Sequence, residues 1–107
     1  MLRDGTYAVR FKAGAGGGAG VVVLSGEKLR GGDSAIVYEG TISQDRDNFT
    51  AHVQTRRHTA GMPSVFGVDQ VSISLTGNSG GLKATCTGKS SQAPGIHFEA
   101  ELEYLGN

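Results

Sequence analysis

The sequence predicts an all-β protein, with about eight short antiparallel strands closing into an up-and-down barrel. Three observations carry that prediction. Apolar residues recur at every second position in run after run, the period of a strand with one buried face. Clusters of Gly, Asn, Asp, Ser and Pro separate these runs at short intervals, as turns in a meander do. Glycine supplies 18 of 107 residues and proline only 2, with no three-residue repeat. That excludes collagen and marks a high density of turns.

The runs follow in order along the chain. In 5–12, Tyr7, Val9 and Phe11 fall on one face and Arg10 and Lys12 on the other. The stretch Gly14 to Gly20 reads as a long flexible hairpin loop, and 20–25, with Val21-Val22-Val23-Leu24, as the next strand. Ser25-Gly26-Glu27 turns the chain into 28–32, and Gly31-Gly32-Asp33 turns it into 34–43, where Ile36, Tyr38 and Ile42 share a face across from Glu39. Asp45-Arg46-Asp47-Asn48 is a turn before 48–58, in which Phe49, Ala51 and Val53 alternate. A longer connection with Pro63 and Phe66 leads to 69–77. There Val71, Ile73 and Leu75 alternate with Ser72, Ser74 and Thr76, the clearest half-buried strand of the chain. After Gly77-Asn78-Ser79-Gly80-Gly81, the segment 81–89 sets Leu82, Ala84 and Cys86 against Lys83, Thr85 and Thr87.

Past Ala93-Pro94-Gly95, the segment 95–105 alternates Ile96, Phe98, Ala100, Leu102 and Tyr104 with His97, Glu99, Glu101 and Glu103. Phe98, Leu102 and Leu105 also fit one side of a helix, so two readings stand, with the strand favoured by five alternating positions. Closure removes both sheet edges; an open two-layer sandwich is the alternative. One charge pattern speaks for closure. Glu99, Glu101 and Glu103 would face outward on the last strand beside Arg10 and Lys12 on the first. Such cross-strand pairs contribute ~0.2–1 kcal/mol each.

Composition narrows the function. Lys plus Arg and Asp plus Glu balance at 10 each, which argues against a nucleic-acid binder. The longest aliphatic run is far too short to span a bilayer, and Met1-Leu2-Arg3-Asp4-Gly5 carries no apolar signal segment. The single cysteine, Cys86, fits a reducing cytoplasm. Leu, Ile, Val and Phe supply only 24 residues, enough for one small core and one domain spanning 1–107.

Chemical motifs fail on context. Gly14-Ala15-Gly16-Gly17-Gly18-Ala19 matches a loose dinucleotide fingerprint, but a strand rather than a helix follows it. Gly88-Lys89-Ser90 resembles the end of a phosphate-binding loop, yet Lys83 stands where that loop needs glycine. His52, His58 and His97 have outward parity and Cys86 inward parity, so no metal ligand set converges. Cys86 reads as a buried apolar thiol, no nucleophile elbow is present, and the glutamates face solvent. The expectation is a non-enzymatic protein without a cofactor. What remains is an inward set: Tyr7, Val9, Phe11, Ile36, Tyr38, Phe49, Val53, Val71, Ile73, Leu75, Phe98 and Leu102. Such a set either fills the barrel or lines a cavity for one small apolar ligand.

A family resemblance rests on particular residues. These are the opening Asp4-Gly5-Thr6-Tyr7-Ala8-Val9-Arg10-Phe11, then Gly18-Ala19-Gly20-Val21-Val22-Val23-Leu24, then Gly31-Gly32-Asp33-Ser34 with Tyr38-Glu39-Gly40-Thr41, and finally His58-Thr59 ahead of Ser64-Val65-Phe66-Gly67. Together they resemble the GrlR-type family, small bacterial proteins named after a negative regulator of type III secretion genes, over nearly the whole chain. The resemblance implies a lipocalin-like eight-stranded barrel, a homodimer formed through apolar surface, and an internal hydrophobic cavity. It also implies regulation by binding a helix-turn-helix transcription activator rather than DNA. The cavity-mouth loop would be Gly61 to Gly67, with Met62, Pro63, Val65 and Phe66. The namesake's partner contact involves a run of alternating Glu and Asp. This chain departs from it: the nearest candidate for a partner-facing loop is Asp45, Arg46, Asp47 and Asn48, interrupted by a cation.

Overall fold

The computed structural model describes residues 1–14, 16–60 and 70–107. Eight strands follow one another: β1 (Gly5–Ala13), β2 (Gly16–Ser25), β3 (Lys28–Gly32), β4 (Ile36–Asp45), β5 (Asn48–Arg57), β6 (Gln70–Gly80), β7 (Lys83–Ser90) and β8 (Phe98–Gly106). Each pairs antiparallel with the next, and β8 returns to β1, so the sheet is a closed barrel. The sandwich alternative is thereby excluded. Among the described residues no helix is long and apolar enough to cross a membrane.

Alternation set the faces as expected. Tyr7 and Val9 on β1, Ala51 on β5, Val71 and Ile73 on β6, Ala84 and Cys86 on β7, and Phe98 and Ala100 on β8 are all buried in one cluster. The last segment is a strand, not a helix. It hydrogen-bonds to β7 on one side and β1 on the other, and two ladders outweigh the helix propensity of Glu-Ala-Glu-Leu. Its outer row meets β1 as the charges required: Arg10 lies 3.3 Å from Glu103, and Lys12 lies 3.5 Å from Glu99. All four side chains are well exposed, so the pairs fix register more than they add stability.

Three local readings need correction. The run Gly14 to Gly20 is not a long loop, because β2 begins at Gly16 and pairs with β1 from Ala13 onward. The reason is packing. Gly18 and Gly20 face inward, and the Phe11 ring lies over the first while the Tyr38 ring and hydroxyl lie over the second. A side chain at either position would meet these aromatics at 3.0 Å. The missing side chains make room for aromatics from neighbouring strands. Leu82, expected inward, sits in the β6–β7 turn and is 50% exposed. The strand starts expected at 34 and 95 shift to Ile36 and Phe98, because Asp33 and Ala93 organise turns there through local hydrogen bonds.

The two ends of the barrel differ. At one end, two-residue turns join β2 to β3, β4 to β5 and β6 to β7, with Gly26, Arg46 and Gly81 in the left-handed region. The N-terminal segment closes that end. Leu2 is buried, its amide donates to the Gln44 side-chain oxygen at 2.7 Å, and its carbonyl accepts from the Gln44 amide at 3.1 Å. Beneath it lie Tyr7, Leu24, Ile42 and Phe49; the Tyr7 hydroxyl donates to the Arg3 carbonyl at 2.6 Å, and its ring meets Tyr104 edge-on. The opposite end carries the connections from β1 to β2, β3 to β4, β5 to β6 and β7 to β8.

Leu24 in this plug is, with Tyr7, one of the two most fully buried side chains among the described residues. Leu24→Ala is expected to cost about 2–5 kcal/mol, as deletions in rigid cores do, whereas Lys12→Ala should cost under about 1 kcal/mol. Urea unfolding of the two variants measures the contrast.

Candidate functional site

Among the described residues, a cavity of about 370 Å³ lies inside the barrel toward the end opposite the plug. Its wall is built by parity: Val9 and Phe11 from β1, Val22 from β2, Leu29 from β3, Val53 from β5, Ile73 and Leu75 from β6, and Phe98, Ala100 and Leu102 from β8. Phe11 stacks on Phe98 with ring centroids 5.9 Å apart and meets Tyr38 edge-on at 6.2 Å. These three rings form one aromatic side of the chamber. The space exists because the inward positions Gly18 and Ala100 contribute so little bulk to the wall.

Polar groups gather at the rim. In the β3–β4 connection one Asp33 carboxylate oxygen accepts the amides of Ala35 at 2.9 Å and Ile36 at 2.8 Å. The other oxygen accepts the Tyr38 hydroxyl. Asp33, Ser34, Tyr38 and Thr55 all border the cavity, and Asp33 is the charged residue among its described lining. Burial acts to raise the Asp33 carboxyl; the Tyr38 hydroxyl, the two amides and the nearby His58 outweigh it and hold the group below the usual carboxylate range. Burial, followed by the bond and charge of Asp33, pushes the Tyr38 phenol far up. The pair is therefore an ionised carboxylate and a neutral phenol at neutral pH.

Cys86 stands in the cavity wall, buried and without a disulfide. Burial pushes its thiol up to about 11. Other hollows lie outside the barrel. One, of about 560 Å³, runs over the outward hydroxyl and amide side chains of Ser43, Thr50, Thr76, Asn78, Thr85 and Thr87. The histidines stand apart, each exposed: His52 beside Ser74 at 3.3 Å, His58 against the Asp33 carbonyl at 3.0 Å, and His97 beside Glu99 at 3.5 Å. No group of three metal-binding side chains occurs among the described residues.

Of the residues expected to line a cavity, Val9, Phe11, Tyr38, Val53, Ile73, Leu75, Phe98 and Leu102 do so. Tyr7 and Phe49 do not: they belong to the buried cluster at the closed end. Val71, also buried, lies behind an outer groove bordered by Gln70, Ser72 and Gln92. Parity gives the face of a residue but not its height along the barrel axis, so Tyr7 and Phe49 share the inward pattern of the wall without lining it. The Asp45, Arg46, Asp47 and Asn48 segment is a tight turn at the closed end, where Asp47 accepts the Met1 amino group at 2.6 Å. Met62, Pro63, Val65 and Phe66 lie outside the described residues. Sequence reasoning treated Asp33 only as a turn former; the signal was Tyr38, an inward aromatic five residues later with a hydroxyl to satisfy.

No protein-family model matches the chain, and no curated protein matches it. The site's own geometry has to carry the functional reading.

The cavity gives Cys86 a measurable signature. With a thiol near 11, the thiolate fraction at pH 8 is about a hundredfold below that of an ordinary cysteine. Maleimide labelling of the folded protein should be slow at pH 8 and accelerate as pH rises toward 11; fast labelling at pH 8 would place the thiol in water.

Proposed function

We propose that this protein is a non-catalytic barrel that takes up one small, mainly apolar ligand. The observation that carries the reading is the apolar chamber of about 370 Å³ in the barrel interior, within the size range of small-molecule sites. An aliphatic and aromatic wall with a few polar groups at one end suits an amphiphile: the chain is desolvated inside, at about 25 cal/mol per Å² of apolar surface, and the polar end stays at the rim. The buried, unpaired Cys86 supports a reducing cytoplasm as the setting.

A neutral fluorescent probe, N-phenyl-1-naphthylamine, is expected to bind one per barrel with enhanced emission. Val53→Trp, which fills the chamber from the wall, should weaken it by at least about tenfold, or 1.4 kcal/mol. Unchanged binding in a folded Val53→Trp variant would move the probe outside the barrel and end this reading.

A second reading, regulation through a protein partner such as a transcription activator, draws support from the outer face of β2. Val21 and Val23 are 43% and 45% exposed there, beside Ala8 and Thr6 of β1. Apolar side chains in this setting suit a homodimer or a partner surface. Light scattering should then show a dimer that Val21→Asp with Val23→Lys converts to monomer; a monomeric parent protein rejects the homodimer.

A further inference from the structure

We propose that the Asp33–Tyr38 pair is the polar subsite of the chamber and that it selects an alkyl chain ending in a hydrogen-bond donor, above all a primary amine, against the matching carboxylate. This rests on the apolar-ligand reading and deepens it by naming the ligand's polar end.

The pair offers acceptors and no free donor. An ionised carboxylate offers about four acceptor positions and no donor. At Asp33 the Ala35 and Ile36 amides take up one oxygen, and the Tyr38 hydroxyl takes one position on the other. One carboxylate position is left, on the oxygen that Tyr38 shares. Tyr38 has spent its proton on Asp33, so its own oxygen can only accept. Everything this pair still offers to a molecule in the chamber is therefore an acceptor, and a ligand satisfies it only by donating.

Charge points the same way. Asp33 is ionised, and it is the charged residue among the described lining of the cavity. On β5, Arg56 pairs with Glu39 at 3.3 Å and Arg57 donates to the Thr59 carbonyl at 3.3 Å. The His58 ring bonds the Asp33 backbone carbonyl at 3.0 Å and also favours the ionised carboxylate. A carboxylate head arriving at the half-buried rim would meet like charge, and an ammonium would meet opposite charge. Ser34 and Thr55, which border the cavity, have hydroxyls that can turn either way and do not discriminate.

Position completes the case. Tyr38 reaches its place because Gly20 has no side chain; a Cβ there would stand 3.0 Å from the phenol ring and hydroxyl. The hydroxyl thus sits between the aromatic side of the chamber and the rim carboxylate, where the head of a chain lying along Phe11 and Phe98 would arrive.

The test is displacement of N-phenyl-1-naphthylamine by decylamine, decanol, decanoate and decyltrimethylammonium at pH 7, each below its micelle concentration. Decylamine is expected to bind at least about tenfold tighter than decanoate. It should exceed decyltrimethylammonium by a similar factor, because the latter has charge but no N–H. Asp33→Asn should bring amine and carboxylate to within about threefold of each other while leaving decanol nearly unchanged. Tyr38→Phe, which keeps the carboxylate, should retain the preference for amine. The wild-type comparisons stand even where a variant does not fold. Decanoate binding as tightly as decylamine overturns the proposal, as does an undiminished amine preference in folded Asp33→Asn. If the probe binds but none of the four chains displaces it, the subsite is rejected and the chamber survives; if the probe itself does not bind, the chamber reading falls and the subsite with it.

Discussion

Closure of the sheet is the constraint on which the rest of this structure depends. A meander of eight strands leaves two edges whose amides and carbonyls need partners, and the ladder between β8 and β1 removes both at once. That single pairing turns every alternate side chain into either lining or surface. It also explains the economy of the composition: one curved layer needs an apolar residue only at every second position. The charge rows of Arg10, Lys12, Glu99 and Glu103 make a shifted seam less favourable, since a one-residue slip would turn them toward the core.

A closed barrel of this size can be packed solid or left hollow, and here glycine decides. Along β2 the inward positions near the open end are Gly18 and Gly20, and the aromatics that lie over them come from β1 and β4. On the other half of the same strand Val22 and Leu24 point inward and are buried. One strand therefore carries the transition from chamber to plug. The plug contains Leu2, Tyr7, Leu24, Ile42 and Phe49, and the chamber has the Asp33–Tyr38 pair at its rim. Plug and chamber are thus separated along the barrel axis, and residues can be assigned to one or the other by their height in it.

Much of the fold was legible in the sequence because period-two alternation is a strong signal and the outward charges were arranged to match across the seam. The strand order, the inward faces and the strand nature of 98–106 all follow from that pattern. The parts that were not legible have physical reasons. A glycine run looks the same whether it supplies turns or leaves room for rings, and only the partner strands distinguish the cases at Gly18 and Gly20. Parity placed Tyr7 and Phe49 inside without their level, so plug and wall could not be separated. Leu82 kept its alternation but fell in a turn whose two-residue length is fixed by Gly81 in the left-handed region. Asp33 looked like a turn residue, and it is one. Its second role arises from a hydroxyl that returns to it from the adjacent strand.

The difference between the two ends has a kinetic consequence. With Leu2 and Gln44 sealing one end, whatever enters the chamber leaves by the way it came. A barrier at a shared passage is crossed in both directions, so changes at the rim that touch neither chamber nor ligand alter arrival and departure by the same factor. Residence time could then be lengthened or shortened over a wide range at constant affinity. The interior would set how much is bound, and the rim would act as a clock.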